Sequence, residues 1–230
     1  MGGADVIHEC DALRDRIHVF ADRTDAGFAL ARLLAGRFGP EAAVLAIPAG
    51  GMPVAIALSA ELVLPIDVAV VSKVTLPWNS EVGYGAVAFD GTVELNRDLI
   101  ELLGVDEATV QRGIDATRAK VRRRVASFAS KLDRPRLWDT AILVDDGIAS
   151  GFTMRTAVLA LRKQGVPQIV AAVPTGSIRA VRDLEPHIDE LFCANLRTGK
   201  SFAVADAYET WCDVPESDAI RLLADAAQRA

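Results

Sequence analysis

Two neighbouring acids, Asp145 and Asp146, follow the apolar run Ala141–Val144. They precede a short loop made of Gly147, Ile148, Ala149, Ser150, Gly151, Phe152 and Thr153. Glycines let such a loop turn several backbone N–H groups inward, and a helix N-terminus adds a partial positive charge. The loop is therefore suited to a phosphate. The acids just before it can accept hydrogen bonds from sugar hydroxyls. A second loop, Pro48-Ala49-Gly50-Gly51-Met52-Pro53, follows the apolar run Ala43–Ile47 and again offers backbone N–H groups to an anion. Lys73 closes a third apolar run, Ile66–Ser72, where a cation could hold the same anion. Plain alternatives exist for each feature. Asp and Ser are ordinary helix caps, a Gly pair serves a simple βα turn, and a lysine is usually solvated.

The elements that must position these residues alternate between strands and helices. A helix opens near Phe20, with Thr24 or Asp22 as its cap, and stops at Gly36 to Pro40. Helices are expected at about Val54–Leu62, along Arg97–Lys131, at about Thr153–Lys163, from Ser177 to about Leu184, and over Ser217–Gln228. Strands are expected at Ala43–Ile47, Ile66–Ser72, Ala141–Val144, Gln168–Val173 and Glu190–Ala194. Asp90-Gly91 between two β-prone runs signals a hairpin. In the long helix, Val110, Ile114, Val121, Val125 and Phe128 share a face. Arg118, Lys120, Arg122, Arg123 and Arg124 are read as a solvated face mostly off it. Residues up to about Val19 are polar, without clear period, and read as a mobile lead-in or docking arm. The alternation implies a parallel twisted sheet with helices on both faces, and ligands meet such sheets at the carboxyl ends of the strands.

Composition narrows the function classes. The 230 residues suit one large α/β domain, and 51% hydrophobic residues can fill a core. A formal net charge of -6 argues against non-specific nucleic-acid binding. No apolar run is long enough to span a bilayer. Three distant cysteines, Cys10, Cys193 and Cys212, lack metal spacing and point to a reducing cytoplasm.

The stretch from Ala141 to Met154 resembles the phosphoribosyl-pyrophosphate (PRPP) motif of the type I phosphoribosyltransferases. That motif is an apolar strand, two acids, and a loop ending in Thr or Ser, Gly and usually Thr. The resemblance extends from about Phe20 to Tyr208 and is tight only at this motif. It implies a phosphoribosyltransferase core over about residues 20–194, within a single domain 1–230. It implies a flexible hairpin lid at 74–96, a helical insertion at 97–131 and a hood at about 195–216. Asp145, Asp146 and Lys73 are then the expected catalytic residues, and residues Gly147 to Thr153 the expected 5′-phosphate loop. Ala49, Gly50, Gly51 and Lys73 are expected at the pyrophosphate, with a strained or cis peptide before the Gly, at Ala49-Gly50. Many relatives carry an Arg where this chain has Ala49, so the loop is expected to act through its backbone. Phe202 and Tyr208 of the hood are the candidate residues for stacking on the acceptor.

What the resemblance implies for function is transfer of the phosphoribosyl group of PRPP to a small-molecule acceptor, with pyrophosphate leaving. Mg²⁺ is the implied cofactor, entering with PRPP, with Asp145 and Asp146 as its candidate protein contacts. A homodimer is expected, without a nucleic-acid or membrane partner. A non-catalytic PRPP or nucleotide sensor of the same fold is the rival, because fold does not fix function. A dinucleotide oxidoreductase would need Gly-x-Gly-x-x-Gly after its first strand, and a receiver domain would carry its acid pair there. In relatives that use hypoxanthine and guanine, an Asp stands three residues beyond the second acid. Here Ala149 holds that place, and only Glu81 and Asp206 offer substitutes.

Overall fold

The computed structural model describes residues 6–129 and 138–228, and of Ser80 and Glu81 only the backbone. In chain order its elements are β1 (Ile7–Glu9), α1 (Arg23–Leu34), β2 (Ala42–Ala46), α2 (Gly51–Leu62), β3 (Ile66–Val68), β4 (Val71–Leu76), β5 (Asn79–Ala88) and β6 (Val93–Leu95). The second half of the chain adds α3 (Arg97–Leu102), α4 (Glu107–Ala129), β7 (Thr140–Val144), α5 (Phe152–Lys163), β8 (Gln168–Ser177), α6 (Ile178–Leu184), β9 (Glu190–Arg197) and α7 (Glu216–Ala227). Six strands make one sheet in the order β1-β9-β8-β7-β2-β3, with every pair parallel. The strand-and-helix alternation read from the sequence has produced the expected α/β architecture.

The central strands are apolar on both faces because both faces are covered. Val44, Ile142 and Val170 pack in one core with Leu30 and Leu34 of α1 and Met52 and Leu58 of α2. Their neighbours Leu45, Leu143 and Ala171 point the other way, into a core with Met154 and Leu161 of α5 and Val181 of α6. This strict alternation across a two-sided sheet is why no charged residue interrupts β2 or β7. Asp22 caps α1, its carboxylate accepting from the N–H groups of Thr24 and Asp25 at 2.8 and 2.9 Å. The polar lead-in docks: β1 adds to the sheet edge beside β9, with Ile7 paired to Leu191.

Three expectations need correction. The apolar run Ile66–Ser72 is two strands, not one. After β3 the chain leaves the parallel sheet and enters a separate antiparallel sheet, β4-β5-β6. Both pieces are apolar because the second sheet is also buried, so hydrophobicity alone cannot show the change. Val74, Tyr84 and Val87 face α4, while Val71, Ala86 and Ala88 face the core shared with α5. Second, the long helix is broken at Gly104, which takes φ 62°, and its expected end near Lys131 lies outside the described residues, as does most of the link around Pro135. Third, β8 runs on to Ser177, four residues past Val173, so that it can pair with β9 as far as Arg197. Asp90-Gly91 does form the turn between β5 and β6, with the Gly91 N–H donating to the Ala88 carbonyl at 2.9 Å.

The three cysteines are free thiols. Among the described residues no helix is long and apolar enough to cross a membrane.

Val63 ends α2 in the left-handed region, φ 54° and ψ 43°, and is 88% exposed. A β-branched residue is strained there, and it gains nothing from packing. Val63→Gly should therefore stabilise the fold by about 1 kcal/mol, read as a rise of roughly 2–4 °C in thermal unfolding. An unchanged or lower midpoint would contradict the cap geometry.

Candidate functional site

The carboxyl ends of β2 and β7 lie side by side, with Ala46 paired to Val144. The segments beyond the two strand ends are therefore brought together. Beyond β7 stand Asp145 and Asp146, and beyond β2 stands the loop 48–51, whose Pro48–Ala49 peptide bond is cis. The two segments touch closely. A Cβ on Gly51 would lie 2.7 Å from the Val144 carbonyl oxygen and 2.8 Å from Asp145 Cα, and one on Gly50 would run into the Asp146 carboxylate. The Gly pair is needed for this approach of backbone to acid.

The loop 147–151 is pinned to β8. The Ile148 N–H donates to the Thr175 carbonyl at 2.9 Å, the Ser177 N–H to the Ile148 carbonyl at 3.1 Å, and Ser177 Oγ to the Ala149 carbonyl at 3.2 Å. Gly151 turns the chain into α5 with φ 76°. The loop thus forms a cradle at the N-terminus of a three-turn helix.

The cleft over these segments has two lobes. One is lined by Lys73, Asp145, Asp146, residues Gly147 to Gly151, Thr153, Met154, Val204 and Trp211. The other includes Pro48, Ala49, Ser72, Lys73, Thr75, Lys120, Arg124, Asp145, Thr153 and Glu216. Lys73, Asp145 and Thr153 belong to both. A separate cavity at Asp67, Phe89 and Phe128 is mostly apolar and holds none of the predicted residues.

The acids are neutralised unequally. Arg23, the first residue of α1, donates from Nε to Asp146 Oδ2 at 2.9 Å. Its Nη1 donates to the Cys212 carbonyl at 2.7 Å, and its guanidinium lies 3.8 Å from the centre of the Trp211 ring. The Tyr208 hydroxyl donates to the Asp146 carbonyl at 2.6 Å. Burial raises the pKa of Asp146, and Arg23 opposes that rise. Asp145 accepts from the Asp146 N–H at 2.9 Å. Burial, then the neighbouring Asp146 charge, raise Asp145 well above the ordinary carboxylate range, and Lys73 only partly offsets them.

Most predicted residues therefore meet in one cleft: Asp145, Asp146, Lys73, Ala49, and the loop from Gly147 through Gly151 with Thr153. Others do not. Phe152 lies under the Arg155 guanidinium, 4.8 Å from its ring centre, and lines neither lobe. Phe202 is half-buried and also lines neither lobe. Tyr208 is 1% exposed, so its ring cannot stack on an incoming acceptor; it packs beside Phe20 and Trp211 instead. Trp211 is the aromatic residue that reaches the cleft. Lys73 stands within β4 of the second sheet rather than at a parallel strand end. Arg124 is not solvated: it is 8% exposed. Its guanidinium donates to the Pro48 carbonyl at 3.0 Å, the Val71 carbonyl at 2.9 Å, Ser72 Oγ at 3.0 Å and Glu216 Oε2 at 2.6 Å.

Sequence reasoning missed Arg23, Arg124 and Trp211. Signals existed for the first two. An arginine in the first turn of a helix opposes the macrodipole, so it needs another reason to be there. Arg124 falls three residues after Val121 and four before Phe128, on the buried stripe of α4.

Fold and site together define a doubly wound α/β protein with an acid pair between two glycine-bearing loops at its strand ends. No family model matches the chain. It is 34% identical over 212 residues to the Mycobacterium tuberculosis proteins named "Putative phosphoribosyl transferase" in strains CDC 1551 and H37Rv, covering 92% of this chain and 47% of each relative. The chain thus spans about half the length of the curated relatives it matches. The crystal structure of TT1426 from Thermus thermophilus superposes with a TM-score of 0.70 at 31% identity, covering 90% of this chain and 98% of that one. Over nine-tenths of its length the chain is thus similar to part of proteins named as phosphoribosyl transferases.

The unequal neutralisation has a measurable consequence. Asp145 binds its proton more tightly folded than unfolded, so its contribution to stability is greatest at low pH. That contribution is lost as pH rises from the unfolded value, about 3.9, through the raised folded one. Asp145→Asn keeps an oxygen to accept from the Asp146 N–H and cannot ionise. Its thermal midpoint should exceed that of the unaltered protein, by more at pH 8 than at pH 5. Each kcal/mol relieved is worth about 2–4 °C. A difference that shrinks with rising pH would refute the burial argument.

Proposed function

We propose that the protein binds Mg-PRPP and transfers its phosphoribosyl group to a small heterocyclic acceptor, releasing pyrophosphate. The observation that carries this reading is the position of the acid pair at the junction of two lobes that share Asp145, Lys73 and Thr153. PRPP has the matching form: a phosphate, a ribose with two hydroxyls, and a diphosphate. The loop 147–153 takes the 5′-phosphate, and Asp145 and Asp146 accept from the ribose hydroxyls. As the bond at ribose C1 breaks, positive charge grows on the ring, and the same carboxylates stabilise it. The loop 48–51 and Lys73 take the diphosphate. Trp211 and Val204 form the rim against which a flat acceptor rests.

Carboxylate oxygens are the right donors for magnesium. Among the described residues there is no cluster of three or more His, Cys, Asp or Glu able to hold a metal. When bound, magnesium neutralises the leaving diphosphate. Pro77–Asn79 is the exposed tip of the β4-β5 hairpin, and in this reading it closes as a lid over the cleft. The hairpin's base is buried at Tyr84, Ala86, Val87 and Ala88, so closure is confined to the tip. The same reading takes the chain as a homodimer, with exposed Trp78, Leu102 and Leu103 available to a second copy.

A sensor that binds PRPP or a nucleotide without turnover is the second reading, favoured by the uncharged Ala49. Pyrophosphate release from PRPP across a panel of bases separates the two. Replacing Asp145 and Asp146 together by Asn keeps their shape and removes their charge. Calorimetry should show at least about tenfold weaker PRPP binding, ~1.4 kcal/mol or more; unchanged affinity would sink the assignment.

Acceptor choice gives a further expectation. Ala149 cannot take a proton, and a general base contributes about 10²–10⁴-fold. Hypoxanthine and guanine should therefore be turned over far more slowly than the true acceptor. Rapid formation of inosine or guanosine monophosphate from PRPP would show another base at work.

A further inference from the structure

The diphosphate lobe lacks a charge on its own loop, where Ala49 stands. Two cations reach it from a different part of the chain. Lys120 and Arg124 lie one turn apart on α4 and both line this lobe, together with Lys73 of β4. Their situations differ. Arg124 is buried and already donates to four acceptors. One of these is the Pro48 carbonyl, so α4 is tied directly to the loop. Lys120 is exposed and forms no ion pair among the described residues. Its ammonium is a mobile point charge carried one turn from a fixed brace.

The anions of this lobe do not use up that charge. Glu216 is paired with Arg124 at 2.6 Å. Asp145 lies in the field of Lys73, which only partly offsets its burial and the repulsion of Asp146. Lys120 is left without an ion-pair partner among the described residues, beside Lys73 and the Pro48–Ala49 segment that lines the lobe. Such a set suits a ligand with several negative charges, and lysines hold phosphates as point charges.

We propose that Lys120 is a diphosphate contact of this site, supplied by α4 in place of the side-chain charge that Ala49 lacks. This rests on the PRPP reading above. It makes α4 part of the binding machinery rather than a solvated insertion. It also sets Lys120 apart from Arg118, Arg122 and Arg123, which line neither lobe.

The test is calorimetry on the full chain with two probes: inorganic pyrophosphate with Mg²⁺, and ribose 5-phosphate. Lys120→Ala should weaken pyrophosphate about tenfold and leave ribose 5-phosphate within about twofold. Lys120→Arg should keep most of the pyrophosphate affinity, because it restores the charge. If both probes bind the unaltered protein and Lys120→Ala binds pyrophosphate equally well, the Lys120 contact is wrong and the PRPP reading stands. Equal weakening of both probes also overturns it, since that would be a general field effect. If the unaltered protein binds neither probe, both readings fall.

Discussion

Two carboxylates in succession at the end of a buried strand repel one another and lose solvation, and the surrounding structure answers that cost. Arg23 meets Asp146 from the start of α1, and Tyr208 meets its backbone carbonyl from the tail. Asp145 receives a backbone N–H and the distant field of Lys73. This leaves Asp146 with a direct arginine partner and Asp145 with its pKa raised well above the usual carboxylate range. Such a pair is poised for a ligand that brings hydroxyl donors and cations with it. The glycine loop, the first helix and the tail all sit where they do because they converge on these two side chains.

Much of this was legible in the sequence. The apolar run into two acids and a glycine loop was sufficient to place a strand, a cradle and a helix. Gly50 and Gly51 marked the second loop, although their closeness to Asp146 and Val144 appears only once two strands distant in sequence pair. The alternation of elements pointed to the parallel sheet, because the central strands β2 and β7 carry no charged residue.

What escaped notice did so for physical reasons. The step from β3 to β4 crosses between two sheets within one nearly continuous apolar run, so hydrophobicity does not mark it. Tyr208 and Trp211 lie three residues apart and have similar chemistry. Only packing against Phe20 decides that the first is interior and the second reaches the cleft. Arg124 was hidden inside a run of basic residues, where composition suggested a wet surface and only helical phase separated it from its neighbours.

The tail that carries Trp211 is attached in an unusual way. The N–H groups of His18, Val19 and Phe20 donate to carbonyls of Asp206 and Ala207, and those of Glu209 and Thr210 donate to carbonyls of Phe20 and Ala21. These bonds are made by main chain alone and are blind to side-chain identity. The sheet-end loops have no such freedom, since Gly50 and Gly51 tolerate no added atom. Over generations, side chains at the rim can drift while the scaffold beneath them stays intact. The chain thereby separates a part that must be preserved from a part that is free to vary.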